Sequence, residues 1–209
     1  MPSSTALPKS LPVMAVLGLA DPADGDWGRL RGLQYSSLAR ASQVRILSHL
    51  VAALAVGMVY YSTVHLAALV AWLAALGCSL FYGASIDNGL ADVDQRRIGR
   101  DEVNKQTISA VGNALVWVMP MAAFAPFGDP LQRLELWAIT AMLMTAAAVL
   151  IPAVPLANVV FTGIVALSAI ASFALGQNFG MAVLALFFSV MITLGAIENA
   201  RSFLTARIA

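Results

Sequence analysis

Six apolar runs, each long enough to cross a lipid bilayer, decide most of what this chain can be: Val44–Tyr61, Val64–Tyr82, Thr107–Phe127, Leu134–Ile151, Pro155–Leu175 and Phe179–Ile197. A helix crosses the hydrocarbon core with about 20 mostly apolar residues. The runs are continuous, so they predict helices; barrel strands would alternate over about 10 residues. Composition agrees, because 60% of the 209 residues are hydrophobic and only 11% are charged. Soluble domains run near 45–50% apolar and about 25% charged. At this length one helical bundle is expected rather than two domains.

The breaks between runs have local causes. A very short turn around Tyr60, Tyr61 and His65 predicts an antiparallel hairpin of spans one and two. Phe127-Gly128-Asp129-Pro130, Pro152-Ala153-Val154-Pro155 and Gly176-Gln177-Asn178 separate the later spans. Glycine tolerates positive φ, and proline lacks the amide a helix needs.

Lysine and arginine orient the spans. Lys9, Arg29, Arg31, Arg40, Arg45, Arg96, Arg97, Arg100, Lys105, Arg201 and Arg207 fall on one side, and Arg133 alone on the other, out of 12 basic residues. Both ends are therefore expected in the cytoplasm, as an even number of spans requires. Leu11–Ala20, following Lys9 and ending Gly18-Leu19-Ala20, has the outline of a signal peptide. Cleavage there would send Arg29–Arg45 outward, against the charge rule.

The expected organisation follows. Residues 1–26 form a polar, flexible segment, 27–43 a cytoplasmic amphipathic helix, 44–197 the six-helix transmembrane domain and 198–209 the start of an output linker. In the amphipathic helix, Trp27, Leu30 and Leu38 are expected to face lipid while Arg29, Arg31 and Arg40 reach headgroups; a solvated helix leading into span one is the alternative. Ser85–Gln106, with Asp87, Asp92, Asp94, Asp101 and Glu102, is expected to continue span two as a charged cytoplasmic helix in which Arg97 and Asp101 pair. The fold class is all-α: an integral membrane bundle of six transmembrane helices, N-in/C-in.

Catalytic and cofactor signatures are missing. No span carries a mid-depth charge of the kind that marks ion or substrate paths, with Arg45 and Glu135 read as lying at span edges. His49 and His65 are separated by most of the bilayer and read as locally hydrogen-bonded rather than as metal or haem ligands. Met119, Met121, Met142 and Met144 read as gap-fillers more readily than as soft-metal ligands. Asp92-Val93-Asp94 lacks the third carboxylate of a membrane transferase site. There is no Gly-x-Ser-x-Gly, His-Glu-x-x-His or phosphate-binding loop, and no internal repeat. Cys78, the one cysteine, reads as a small hydrophobe.

What remains is packing chemistry. Ala53 and Gly57, Ala71 and Ala75, and Ala110 and Ala114 are spaced for close helix approach. Asn113, Asn158, Thr162, Ser168 and Thr193 are suited to hydrogen bonds between helices. The polar cluster Asp129, Arg133, Glu135 and Trp137 at the outer ends is the candidate ligand site, with interfacial anchoring as the alternative.

Three stretches carry a family resemblance: Arg29-Leu30-Arg31-Gly32-Leu33-Gln34-Tyr35, Phe124-Ala125-Pro126-Phe127-Gly128-Asp129-Pro130-Leu131-Gln132-Arg133 and Ile151-Pro152-Ala153-Val154-Pro155-Leu156-Ala157. Together they resemble the six-helix N-terminal membrane region of proteobacterial cyclic-di-GMP signalling proteins with GGDEF and EAL domains, and of related histidine kinases. The likeness runs from about Trp27 to the C-terminus; the acidic Ser85–Gln106 segment and the first 25 residues depart from it. It implies a bacterial inner-membrane location and an effector following the last span through a helical linker. Glu198, Arg201, Phe203 and Leu204 would then carry the output.

The resemblance makes the leading expectation a non-catalytic sensory and oligomerisation module that anchors and regulates such an effector. Its partners would be the lipid bilayer, a second copy of the chain and a cytoplasmic effector; no cofactor, metal or nucleic acid is expected. No GGDEF, EAL or kinase sequence lies within the 209 residues, which reads as an isolated input region or a stand-alone relative. An accessory subunit of a larger membrane complex explains the missing chemistry equally well. A small-molecule transporter is disfavoured by the lack of repeats and of mid-membrane charge.

Overall fold

The structure, a computed structural model, describes residues 11–23, 25–35, 38–91 and 97–208. Lys9, the Asp92-Val93-Asp94 pair and Arg96, with the side chains of Arg40 and Arg207, lie outside the described residues. Six helices are long and apolar enough to cross a membrane. They are α3 (Leu38–Tyr60), α4 (Leu66–Ala91), α5 (Arg100–Met119), α6 (Pro130–Leu150), α7 (Pro155–Leu175) and α8 (Phe179–Ile208), preceded by the short α1 (Val13–Val16) and by α2 (Trp27–Tyr35). The chain is thus an all-helical, multi-pass membrane protein. Most helices run beyond the apolar stretch that marks them, because polar side chains at their ends find partners inside the bundle.

Around the bundle the helices neighbour one another in the order α3, α4, α5, α7, α8, α6, which closes back on α3, with α6 also touching α7 across the interior. Trp72, Trp117, Tyr60 and Phe124 fill the core. Trp72 meets Trp117 and Phe124 edge-on, at centroid separations of 5.5 and 5.8 Å. This cluster exploits a defect in α5. Pro120 has no N–H, so the carbonyl of Val116 loses its helical donor; the indole Nε1 of Trp72 donates to it instead, at 3.0 Å. The chain then runs through a π-helical turn, Pro120–Phe124, and a 3-10 turn, Ala125–Phe127.

The α5–α6 connection is locked to α3. Asp129 caps α6, accepting from the Gln132 N–H at 2.8 Å, while Gln132 Oε1 accepts from the Asp129 N–H at 3.1 Å. Gln132 Nε2 also donates to the Val59 carbonyl and the Thr63 hydroxyl, both at 2.8 Å. A Cβ on Gly128 would sit 3.0 Å from the Tyr60 ring, so only glycine lets the loop pass this close.

At the other end the first residues correct two expectations. Residues 13–16 are not a flexible tail: Ala15 and Val16 of α1 pack with Trp27 and Leu30 of α2 against Ala200 and Leu204 of α8. Nor is 27–43 a lipid-facing amphipathic helix. Helix α2 ends at Tyr35, and Trp27, Leu30 and Leu38 are buried against protein. The reason is polar: Arg31 Nε donates to the Ile98 carbonyl at 3.0 Å and Gln34 Nε2 to the Pro152 carbonyl at 3.2 Å, which pulls α2 across the bundle end. Both described ends of the chain therefore lie at one end of the bundle, hereafter the terminal end. Arg97 pairs with Asp26 at 2.7 Å rather than with Asp101, because α2 brings that carboxylate within reach.

Candidate functional site

Three helices turn polar residues inward along one face each: Arg45 and His49 on α3, Ser79, Gly83 and Asp87 on α4, and Gln106, Ser109, Asn113 and Trp117 on α5. Side chains three and four apart share a helix face, so each set forms a stripe, and the stripes meet. At their base Arg45 Nη2 donates to Asp87 Oδ2. Gln106 Nε2 donates to Asp87 Oδ1 at 2.8 Å, so both oxygens of this fully buried carboxylate are engaged. A Cβ on Gly83 would lie 3.0 Å from Arg45 Nη2 and 3.1 Å from Ser109 Oγ; the glycine makes room for the guanidinium.

Deeper in, the Trp117 indole donates to His49 Nδ1 at 2.8 Å. An indole N–H can only donate, so the hydrogen of the neutral imidazole is on Nε2, and the Asn113 side-chain amide, 2.9 Å away, must turn its oxygen toward it to accept. The Phe161 ring stands edge-on to the imidazole at 5.7 Å. Between these side chains and Asn158 of α7 lies a cavity of about 40 Å³. Its wall is mainly apolar but carries polar side chains from Ser79, Asn113 and Asn158, and it is large enough for water.

This network corrects the reading of Asp87 as part of a charged cytoplasmic extension of span two. The residue lies near the end of α4 rather than at mid-depth, so the expectation of no mid-depth charge is not overturned by it. Asp87 belongs to the apolar helix α4, and its side chain faces the interior rather than the cytoplasm. A charge in such a place is retained only where it is paired and hydrogen-bonded. Chemically the arrangement is a clamp: it joins α3, α4 and α5 in one register and leaves no carboxylate oxygen of Asp87 unengaged. Among the described residues no group of three or more His, Cys, Asp or Glu side chains is placed to hold a metal ion.

The terminal end is held by a second polar layer. Arg31 Nη1 pairs with Asp21 at 2.6 Å, and this hydrogen bond holds the Asp21 carboxyl below its ordinary value of 3.8. Burial pushes the Tyr35 phenol up, so it stays neutral. The carbonyls at the end of α6 accept from side chains of later helices. Asn158 Nδ2 donates to Ala147 and Ile151 at 3.0 and 2.6 Å, and Asn199 Nδ2 to Ala148 and Val149, both at 3.0 Å.

Of the residues predicted for output, Leu204 is buried against α1 and α2, Arg201 pairs with Glu198 at 2.6 Å, and Phe203 is half-buried beside them. The predicted outer cluster does not converge. Asp129 serves as a helix cap, and Trp137 turns into the core, edge-on to Phe188 at 5.6 Å. Glu135 is half-buried and shares no ion pair with Arg133, whose Nε donates to the Gly128 carbonyl at 3.1 Å. His65 is exposed at the start of α4, far from His49 in its buried network. Met121 and Met144 are core residues, whereas Met119 and Met142 face outward, so the four share no site. Of the small-residue pairs, Gly57 has open space where a Cβ would stand and Ala71 is exposed, while Ala114 is fully buried.

Sequence reasoning missed Asp87, Gly83 and Gln106. The four-residue spacing from Ser79 to Asp87 was the available signal, hidden by ending the second span at Tyr82. No family model matches this chain, and neither a curated protein nor a solved structure is similar to it.

Proposed function

We propose that the chain is a membrane-embedded input module, itself non-catalytic, with both termini in the cytoplasm of a bacterium. In this reading it pairs with a second copy and regulates a cytoplasmic effector of the cyclic-di-GMP turnover type through α8. The main support is the course of α8. Its 30 residues run without a break, giving a rod of about 45 Å against a hydrocarbon core of about 30 Å. The helix therefore carries its register out of the membrane with no hinge. Its emerging turns are gripped on two sides, by the Asn199 bonds to α6 and by α1 and α2 around Ala200 and Leu204. A shift of the bundle has a stiff path to whatever follows. The three stretches that carry the family resemblance support the same reading, since two of them meet at this grip: Gln34 bonds to Pro152, and Tyr35 packs with Ile151, Ala153 and Val154.

The test is a phase series. A diguanylate cyclase domain is fused after Ala209, one to four alanines are inserted after Arg201, and cyclic-di-GMP is measured in membranes. Output should rise and fall with the helical period of about 3.6 residues. Output that is flat across the series, or falls steadily with linker length, would overturn the proposal.

A further inference from the structure

The distal end, opposite the termini, holds a much larger cleft than the interior does. It measures about 510 Å³ and is bounded by the π-helical turn of α5 and the last turns of α7. That falls within the roughly 300–1,000 Å³ of small-molecule sites. Its walls are mainly apolar (Met121, Ala122, Ala171, Leu175) with Ser168 and Ser172 among them, and Arg133 enters from α6.

The guanidinium is only half-used. Its Nε donates to the Gly128 carbonyl at 3.1 Å and its Nη2 to the Pro126 carbonyl at 3.4 Å, which occupies the fork nearest the side chain. Among the described residues the outward fork, made by Nη1 and the second Nη2 hydrogen, meets no hydrogen-bond or ion-pair partner. Nη1 lies beside Gly176 at the end of α7, 3.5 Å from where an added Cβ would stand, a point that the Ser172 and Phe173 carbonyls approach to 3.3 and 3.5 Å. A free planar fork at the mouth of an apolar cleft is complementary to a carboxylate carrying a hydrocarbon tail.

We propose that this cleft binds a single-chain amphiphilic carboxylate, of the fatty-acid class, with its head on Arg133 and its tail between α5 and α7. Such a ligand would be the stimulus of the input module proposed above and takes its biological meaning from that reading, but its binding is read without any effector. The site differs from the cluster expected from sequence: of those four residues only Arg133 lines it.

The test uses the full chain in phosphatidylcholine nanodiscs with three photoactivatable probes carrying a diazirine at the same chain position: palmitate, the matching fatty alcohol and phosphatidylcholine. Crosslinks are mapped by mass spectrometry. Palmitate should label Met121 and Leu175 about tenfold more than the alcohol does, the worth of one charge-assisted hydrogen-bonded pair. Ala171→Trp, which fills the cleft and leaves Arg133 in place, should abolish the labelling, and Arg133→Lys should reduce it. A lysophosphatidic acid competitor separates headgroup sources: displacement no better than by unlabelled alcohol fits a carboxylate site, whereas displacement stronger than by unlabelled palmitate assigns the fork to phosphate and overturns the proposal. Equal labelling by acid and alcohol, or labelling untouched by Ala171→Trp, would show ordinary lipid in the cleft and also overturn it. The alanine phase series remains unaffected by either result, so the two proposals fail separately.

Discussion

The two ends of the bundle are held together by different physics. At the terminal end charges and amides do the work: Arg45 with Asp87 and Gln106, Arg31 with Asp21 and Ile98, and Asn199 with the end of α6. At the distal end one loop is tightly locked through Gly128, Asp129 and Gln132, yet beside it α5 and α7 part around a cleft of about 510 Å³. Across an open cleft the facing protein walls do not brace one another, whereas a buried ion pair stands firm only while both partners remain. The distal end is thus built to yield and the terminal end to move as one piece, a combination suited to carrying a displacement from one to the other.

That contrast is open to attack, and the buried pair offers the largest effect. Asp87→Ala leaves Arg45 desolvated and alone, and should lower unfolding free energy by about 3–5 kcal/mol in a mixed-micelle denaturant titration. Pairing Arg45→Met with Asp87→Leu should return most of it. A loss below about 1 kcal/mol for Asp87→Ala would place the pair in effectively aqueous surroundings.

Next in size is Asn199→Ala, which strips the carbonyls of Ala148 and Val149 of their donor. A loss of about 1–3 kcal/mol is expected, with faster amide exchange at the end of α6. Unchanged exchange there would mean that α8 is not gripped at this point. At the distal end Gly128→Ala forces a methyl against the Tyr60 ring, and about 1 kcal/mol should be lost as the loop shifts. A stabilising effect would show that the loop has room the geometry denies it.

The smallest effect is acid release of the N-terminal segment. Asp21 has a lowered folded-state pKa, so its contribution is present above the ordinary 3.8 and is lost as the pH falls through the lower folded value. Proteolytic protection of residues 13–35 should be constant from about pH 7 to 5 and weaken only below about pH 4. Weakening that begins near pH 6 would implicate some other group.

Helix number was legible in sequence, because lipid forces each apolar run to close its own hydrogen bonds, whereas the order of the helices around the bundle was not. The turns were equally plain: Pro155–Leu175 was bounded to the residue, and Gly128-Asp129-Pro130 does what a break and cap should do. Side-chain direction was not. Asp87 reads as part of a charged cytoplasmic helix because hydropathy ends there, although its spacing from Ser79 and Gly83 continues the inner face of α4. Trp27 and Leu30 looked lipid-facing because the surface that covers them, Ala200 and Leu204, lies about 170 residues away in the chain and gives no local signal. Arg133 was singled out as the lone basic residue on its side, but its free fork emerges only once Gly128 and Pro126 occupy the other.

One measurement addresses the contrast most directly: electron–electron distance distributions in nanodiscs for two spin-label pairs in a Cys78→Ser background. Met14 with Ser202 spans the terminal end, and Ala122 with Ala171 spans the cleft, all four sites being exposed. The structure predicts a narrow distribution for the first pair and a distinctly broader one for the second. A terminal pair as broad as the cleft pair, or broader, would contradict the account.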